Sequence, residues 1–85
     1  MIELKLVKYI PEKLEENVLY VSMEFETAIH LCGCGCGTEI CTPINDKAWV
    51  LHKNDDLFSL TPSIGNYQLP CKSHYFITNN QFVMC

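Results

Sequence analysis

Hydrophobic and polar positions alternate along this chain in short segments, and no segment sustains the helical spacing of about 3.6 residues. In an extended strand, such alternation places side chains on opposite faces. The segments that fit a strand cover residues 4–9, 18–25, 39–42, 48–52, 57–60, 75–78 and 81–84. The sequence therefore predicts a mainly β, antiparallel fold with little or no helix.

Turn-forming residues separate these segments. Asparagine and aspartate tolerate the positive φ of tight turns, so residues 54–56 and the Asn79–Asn80 pair favour turns between strands. Pro62 lacks an N–H group, and we expect it to end the strand of residues 57–60. The charged stretch 12–17 is either a loop or a single helical turn.

Composition narrows the classes of function. The 85 residues carry a formal net charge of −4 and contain no arginine, which argues against nucleic acid as a partner because phosphate recognition uses clustered Arg and Lys. No apolar run approaches the roughly 20 residues that span a bilayer, and the N-terminus lacks the pattern of a signal peptide. We therefore expect one cytoplasmic domain, residues 1–85, without a membrane partner.

The cysteines provide the strongest chemical signal in the sequence. Three of them alternate with glycine over residues 32–37, and another lies in the later Cys-Lys-Ser-His segment. Alternate residues project to one side, and glycine lets the backbone fold closely around a bound group. Four thiolates from two segments match a closed tetrahedral zinc site, which would also stabilise a small core. We predict one structural Zn²⁺ per chain, bound by Cys32, Cys34, Cys36 and Cys71.

Other uses of these residues stay open at this point. His74 lies three residues after Cys71 and could replace one of the clustered thiols as a ligand, and His30 is a weaker candidate. Six cysteines would also allow three disulfides, although Cys-x-Cys rings are strained and no export signal is present. The cluster could also be a flexible thiol-rich loop. We expect Cys41 to be a buried small residue and Cys85 a terminal thiol.

If zinc takes four thiols, His74 is available for proton transfer. Ser63 is a candidate partner, because Pro62 before it and Gly65 after it predict a rigid bend. A serine becomes nucleophilic near neutral pH when a histidine acts as its base. Spacing alone also fits a simpler role, in which Ser63 completes a turn and His74 caps or binds at the zinc loop.

A catalytic serine and histidine need two further kinds of group. Glu24 is our choice for the acid that orients the imidazole, with Asp55 and Asp56 as alternatives. An oxyanion needs hydrogen-bond donors. We expect them from the backbone N–H groups of residues 64–66 or from the side-chain amide of Asn66.

The motifs of this chain resemble those of the BubE-like peptidases, small zinc-binding proteins found with bacterial ubiquitin-like conjugation operons. The resemblance runs from about position 10 to the end. Its specific features are the Cys-x-Cys-Gly-Cys-Gly loop, Pro-Ser-Ile-Gly-Asn and Cys-x-Ser-His-Tyr. The stretches that carry it are residues 19–24, 28–37, 42–43, 49, 59–66 and 70–75.

The resemblance implies a zinc-stabilised serine hydrolase that acts on a ubiquitin-like protein, at its C-terminal extension or at its linkage to a target. Carried over by position, Ser63 is the nucleophile and His74 the base, and the four cysteines named above hold zinc. Glu24 matches the pattern as well, and its role as the orienting acid is our inference. The alternative is a non-catalytic, zinc-ribbon-like module that binds a protein partner.

Overall fold

The computed structural model describes residues 1–66 and 70–84, and these residues form two four-stranded β-sheets. The first sheet has the order β1-β2-β3-β4 and the second the order β5-β6-β7-β8. In chain order the strands are β1 (Glu3–Leu6), β2 (Val18–Ser22), β3 (Thr27–Leu31), β4 (Glu39–Pro43), β5 (Val50–Asn54), β6 (Leu57–Gly65), β7 (His74–Thr78) and β8 (Gln81–Met84).

The described residues contain no helix, which confirms the mainly β prediction. Residues 12–17 are a loop. It follows that no described helix is long and apolar enough to cross a membrane. Neighbouring strands are antiparallel except β1 and β2, which pair in parallel with Glu3 opposite Val18.

The two sheets enclose one hydrophobic core. Alternate residues of their strands point inward, as in a β-sandwich. The fully buried side chains include Leu19, Val21, Leu60, Ile64, Tyr75 and Ile77. Burying one such aliphatic side chain contributes about 1.5–3 kcal/mol to folding. The outward residues of β6 and β7 form the exposed face on which the candidate nucleophile lies.

Strand β6 contains an irregularity next to this candidate. Leu60 lies opposite Ile77, whereas Ile64 lies opposite Tyr75, so residues 61–63 of β6 face the single residue 76 of β7. The peptide bond before Pro62 is cis. An extra-residue bulge changes the direction of the side chains it contains, and here it contains Ser63.

The prediction that the strand of residues 57–60 ends at Pro62 is wrong, because β6 continues to Gly65. A proline is tolerated in a sheet where no partner needs its missing N–H group. Pairing between β5 and β6 stops at Val50 and Thr61, so Pro62 lies just beyond the partner strand.

Two turns of the structure were predicted from the sequence, and the turn after β2 was not. Positive φ values occur at Asp55, Asn79 and Asn80, which confirms the two predicted turns. Strand β2, in contrast, ends at Ser22 rather than at residue 25. The Ser22 hydroxyl accepts the Phe25 N–H at 3.4 Å. A tight turn therefore replaces the predicted end of this strand.

Candidate functional site

The four predicted metal ligands lie together at one end of the sandwich. Cys32 follows β3, Cys34 and Cys36 lie in the loop before β4, and Cys71 lies in the loop before β7. Their Sγ atoms are all within 4.8 Å of one another. Every cysteine of the described residues is a free thiol, so the disulfide alternative finds no support there. This group of four sulfurs could hold a metal ion.

Glycine allows the loop of the first three cysteines to fold closely. Gly35 and Gly37 have φ values of 89° and 82°, which L side chains rarely adopt. Gly33 has another role, because a Cβ atom there would lie 2.7 Å from Cδ1 of Phe82 on β8. The loop can therefore pack directly against the second sheet only while position 33 carries no side chain.

The clustered thiols change one another's pKa values through hydrogen bonding. Hydrogen bonding with Cys32, and then with the other cysteines, raises the pKa of Cys34 to about 12. Hydrogen bonding with Thr38 lowers the pKa of Cys36 to about 6, and hydrogen bonding with Ser73 lowers the pKa of Cys71. Some sulfurs thus favour the thiolate and another keeps its proton. A bound cation would remove this competition, because metal ligation requires every thiol to be deprotonated.

Two buried polar side chains support the sulfurs from within the fold. The Ser73 Oγ atom lies 3.1 Å from the Cys32 Sγ and 3.4 Å from the Cys71 Sγ. The Asn66 side-chain amide donates to the Ser73 Oγ at 3.1 Å and lies 3.6 Å from the Cys32 Sγ. Such groups orient metal ligands. The sequence motifs do not predict this role, because they contain both residues but do not show where their side chains point.

The expectation that Asn66 donates to an oxyanion is wrong. Its side-chain amide serves Ser73 and Cys32, and its backbone N–H donates to the Ser73 carbonyl at 2.8 Å. The Ile64 N–H is directed at Tyr75 in the β6–β7 pairing, so of the expected backbone donors only the Gly65 N–H stays a prediction.

His30 is buried beneath the cysteine loop rather than among the sulfurs. Its Nε2 atom lies 2.7 Å from the Oη of Tyr75, which also accepts the Gly33 N–H at 3.2 Å. Burial lowers the pKa of His30 to about 4 and raises the pKa of Tyr75 to about 12, so both groups are neutral near pH 7. This bond joins β3 to β7, and His30 lies outside the four-sulfur group.

Ser63 and His74 are in hydrogen-bond contact on the exposed face of the second sheet. The His74 Nε2 atom lies 2.7 Å from the Ser63 Oγ, and both side chains are half-buried. Gly65 is directly opposite His74 in the β6–β7 pairing. Because Gly65 has no side chain, the imidazole has room to reach the diagonal neighbour. The contact is short enough for direct proton transfer.

The metal cluster and the Ser63–His74 pair are separate but adjacent. His74 is not part of the four-sulfur group among the described residues. It directly follows Ser73, whose hydroxyl contacts two of the sulfurs. The loop that presents Cys71 thereby also sets the start of β7, from which the His74 imidazole projects.

The predicted acids lie in turns. Glu24 is in the exposed turn between β2 and β3, at the end of β3 that is remote from the cysteine loop. Asp55 and Asp56 precede β6, whereas Ser63 is near its other end, about 20 Å away at the usual rise of a strand. The two aspartates are therefore beyond hydrogen-bond reach of the pair.

His52 and Thr61 form a second histidine–hydroxyl contact on the second sheet. His52 Nε2 lies 2.8 Å from the Thr61 Oγ1, and both residues are exposed.

The expectation that Cys41 is buried is wrong, because Cys41 is exposed on β4. Its side chain is on the outward face of this strand, whereas its neighbours Ile40 and Thr42 point inward. Cys85 lies outside the described residues.

Comparison with known proteins gives a single result that bears on function. The model of a family described as the bacterial ubiquitination-like system serine protease (BubE) matches residues 6–85, which is nearly the whole chain. No curated protein and no solved structure matches the chain.

Proposed function

The chain belongs to the BubE family of bacterial ubiquitination-like system serine proteases, and from this premise we propose that it is a zinc-stabilised serine protease that cleaves at the C-terminus of a ubiquitin-like protein. The bond is that to a C-terminal extension or to a conjugated target. The observation that carries the proposal is the 2.7 Å contact between His74 Nε2 and Ser63 Oγ beside, and not within, the sulfur cluster.

The chemistry is acyl transfer. His74 Nε2 takes the hydroxyl proton while the Ser63 Oγ attacks the substrate carbonyl, and the same imidazole then gives that proton to the leaving amine. Water, deprotonated by His74, releases the acyl group and regenerates the serine. Positioned acid–base catalysis of this kind contributes typically about 10²–10⁴-fold to the rate.

Zinc fits the sulfur cluster in number, ligand type and spacing. A Zn–S distance of about 2.3 Å in a tetrahedron separates sulfurs by roughly 3.8 Å. The Cys32–Cys71 and Cys36–Cys71 distances are both 3.8 Å, and the Cys32–Cys34 distance is 3.4 Å. Four thiolates leave no position for a reactive water, so the ion would hold the loops and take no part in the cleavage.

Replacement of the nucleophile and of the base tests the proposal. With the purified ubiquitin-like protein of the same conjugation system as substrate, we expect Ser63→Ala and His74→Ala each to reduce cleavage by more than about 100-fold. Bound zinc, measured by elemental analysis, should stay near one per chain in both variants. The matched controls are Ser59→Ala and His52→Ala, which alter the same face of the second sheet and should cleave normally.

Other results would point elsewhere. Loss of zinc in His74→Ala would identify this histidine as a ligand. Full cleavage by Ser63→Ala would exclude the nucleophile. Tight binding of the ubiquitin-like protein without any cleavage by the unaltered chain would favour the binding-module alternative.

Glu24 matches the family pattern, and its role as the group that orients the imidazole is our own inference from the sequence. The Glu24→Gln variant keeps the shape of the side chain and removes its charge. If the carboxylate supports the protonated His74, this variant lowers kcat while KM and zinc content are unchanged. An unaltered kcat would remove Glu24 from the mechanism.

A further inference from the structure

One edge of β6 is open next to the nucleophile. β5 pairs with β6 only as far as Val50 opposite Thr61, and β6 continues to Gly65. Among the described residues, no strand covers the β5 side of β6 beyond Thr61. The open stretch includes Ser63.

The chain leaves this edge before β5 begins. The Trp49 N–H donates to the Pro43 carbonyl at 3.1 Å, and the Trp49 carbonyl accepts the Asn45 N–H at 3.0 Å. Both main-chain groups of Trp49 are thus directed to the end of β4 and away from β6. Trp49 therefore does not extend β5 along β6.

Main-chain groups of Gly65 point towards the open side. The Asn66 N–H donates to the Ser73 carbonyl at 2.8 Å, which makes Gly65 and His74 a pair without mutual hydrogen bonds. In a planar trans peptide the C=O points opposite to the N–H that follows. The Gly65 carbonyl therefore points away from β7, and so does the Gly65 N–H.

The Ser63 carbonyl points the same way. Ile64 and Tyr75 are the adjacent pair in the ladder, and alternation makes them a hydrogen-bonded pair. The Ile64 N–H is thus directed at β7, and the preceding carbonyl, that of Ser63, is directed at the open side. Together the open edge offers one donor and two acceptors within three residues of the nucleophile's own strand.

We propose that an extended segment of the protein substrate binds this edge of β6 as an added strand. Two alternate N–H groups of the segment donate to the Ser63 and Gly65 carbonyls, and one of its carbonyls accepts the Gly65 N–H. This inference rests on the proposed function and names the form in which its substrate is recognised. The occupant is the C-terminal segment of the ubiquitin-like protein, because the nucleophile lies on the strand that it pairs with.

Substrate backbone modification tests this arrangement in the unaltered protein. The probe is a fluorogenic decapeptide that spans the cleaved bond of the ubiquitin-like substrate, with a single N-methyl group placed at each residue in turn. Methylation at two residues separated by one should lower kcat/KM at least about tenfold each, and methylation at the residue between them should be tolerated. This period of two holds for either strand direction. A uniform effect, or none, would overturn the proposal.

A small serine-directed fluorophosphonate separates this inference from the proposed function. The reagent reacts with Ser63 and is too short to pair along β6. Labelling of the unaltered protein, together with a period of two in the N-methyl profile, supports strand addition. Labelling of the unaltered protein with a flat N-methyl profile would overturn strand addition alone, whereas absence of both labelling and cleavage would overturn the proposed function.

Discussion

Single residues decide whether the candidate groups meet. Gly65, opposite His74, leaves the space through which the imidazole reaches Ser63. The sequence predicted a bend around Ser63 from Pro62 and Gly65. It could not show that the glycine would act through its missing side chain, because that requires the pairing of β6 with β7, which is set by residues far apart in the chain.

The same reasoning gives a prediction for Gly33. In Gly33→Ala the new Cβ would lie 2.7 Å from Cδ1 of Phe82, so the ring must move within a packed interior. We expect a loss of about 1–3 kcal/mol in the free energy of unfolding, measured with urea. In a Phe82→Leu background, Gly33→Ala should lower the free energy of unfolding by less than it does in the unaltered protein. Identical losses in both backgrounds would show that the contact is not the cause.

At the scale of strands, the alternating pattern predicted most elements but not their pairing. β5, β7 and β8 lie close to the predicted segments. β3 is absent from the predicted segments, although the burial of its residues alternates. The parallel pairing of β1 with β2 could not be predicted from the hydrophobic pattern, because side chains alternate in the same way in parallel and antiparallel strands. Pro62 does not end β6, because the lack of an N–H group breaks a strand only where a partner strand would accept from it, and β5 does not reach Pro62.

Tyr75 links the two sheets beneath the cysteine loop, which gives a prediction at this scale. Tyr75→Phe keeps the ring and removes the hydroxyl that contacts His30 and the Gly33 N–H. Both partners would then lack a hydrogen bond, at a cost of about 1–3 kcal/mol in the free energy of unfolding. Chemical denaturation measures it, with Tyr9→Phe as the control, since the Tyr9 side chain is exposed. Equal free energies of unfolding for the two variants would show that this link does not stabilise the fold.

For the molecule as a whole, the sulfur cluster and the Ser63–His74 pair depend on the same loops. Asn66 and Ser73, which contact the sulfurs, directly follow Gly65 and precede His74. The spacing of the cysteines was enough to predict which four sulfurs lie together, because the kind and number of these residues can be read from the sequence. The buried hydrogen bonds that join this set to the pair depend on side-chain directions, which the sequence does not contain.

Removal of the metal should therefore disable the pair without touching it. We expect a zinc chelator to abolish both cleavage and fluorophosphonate labelling of Ser63, and to lower the unfolding temperature, because four clustered thiols lose their common ion. Zn²⁺ should restore all three properties, whereas Mg²⁺, which prefers oxygen ligands, should not. Persistent labelling of the metal-free protein would separate the two sites.

The central claim is that sulfur alone holds the ion, which leaves His74 to activate Ser63. Native mass spectrometry of fluorophosphonate-treated protein measures zinc content and labelling in one spectrum, because bound zinc and the covalent adduct each add a known mass. For the unaltered chain we predict one zinc and one adduct, and for His74→Ala one zinc and no adduct. A His74→Ala protein without zinc, or one labelled as fast as the unaltered chain, would contradict the account.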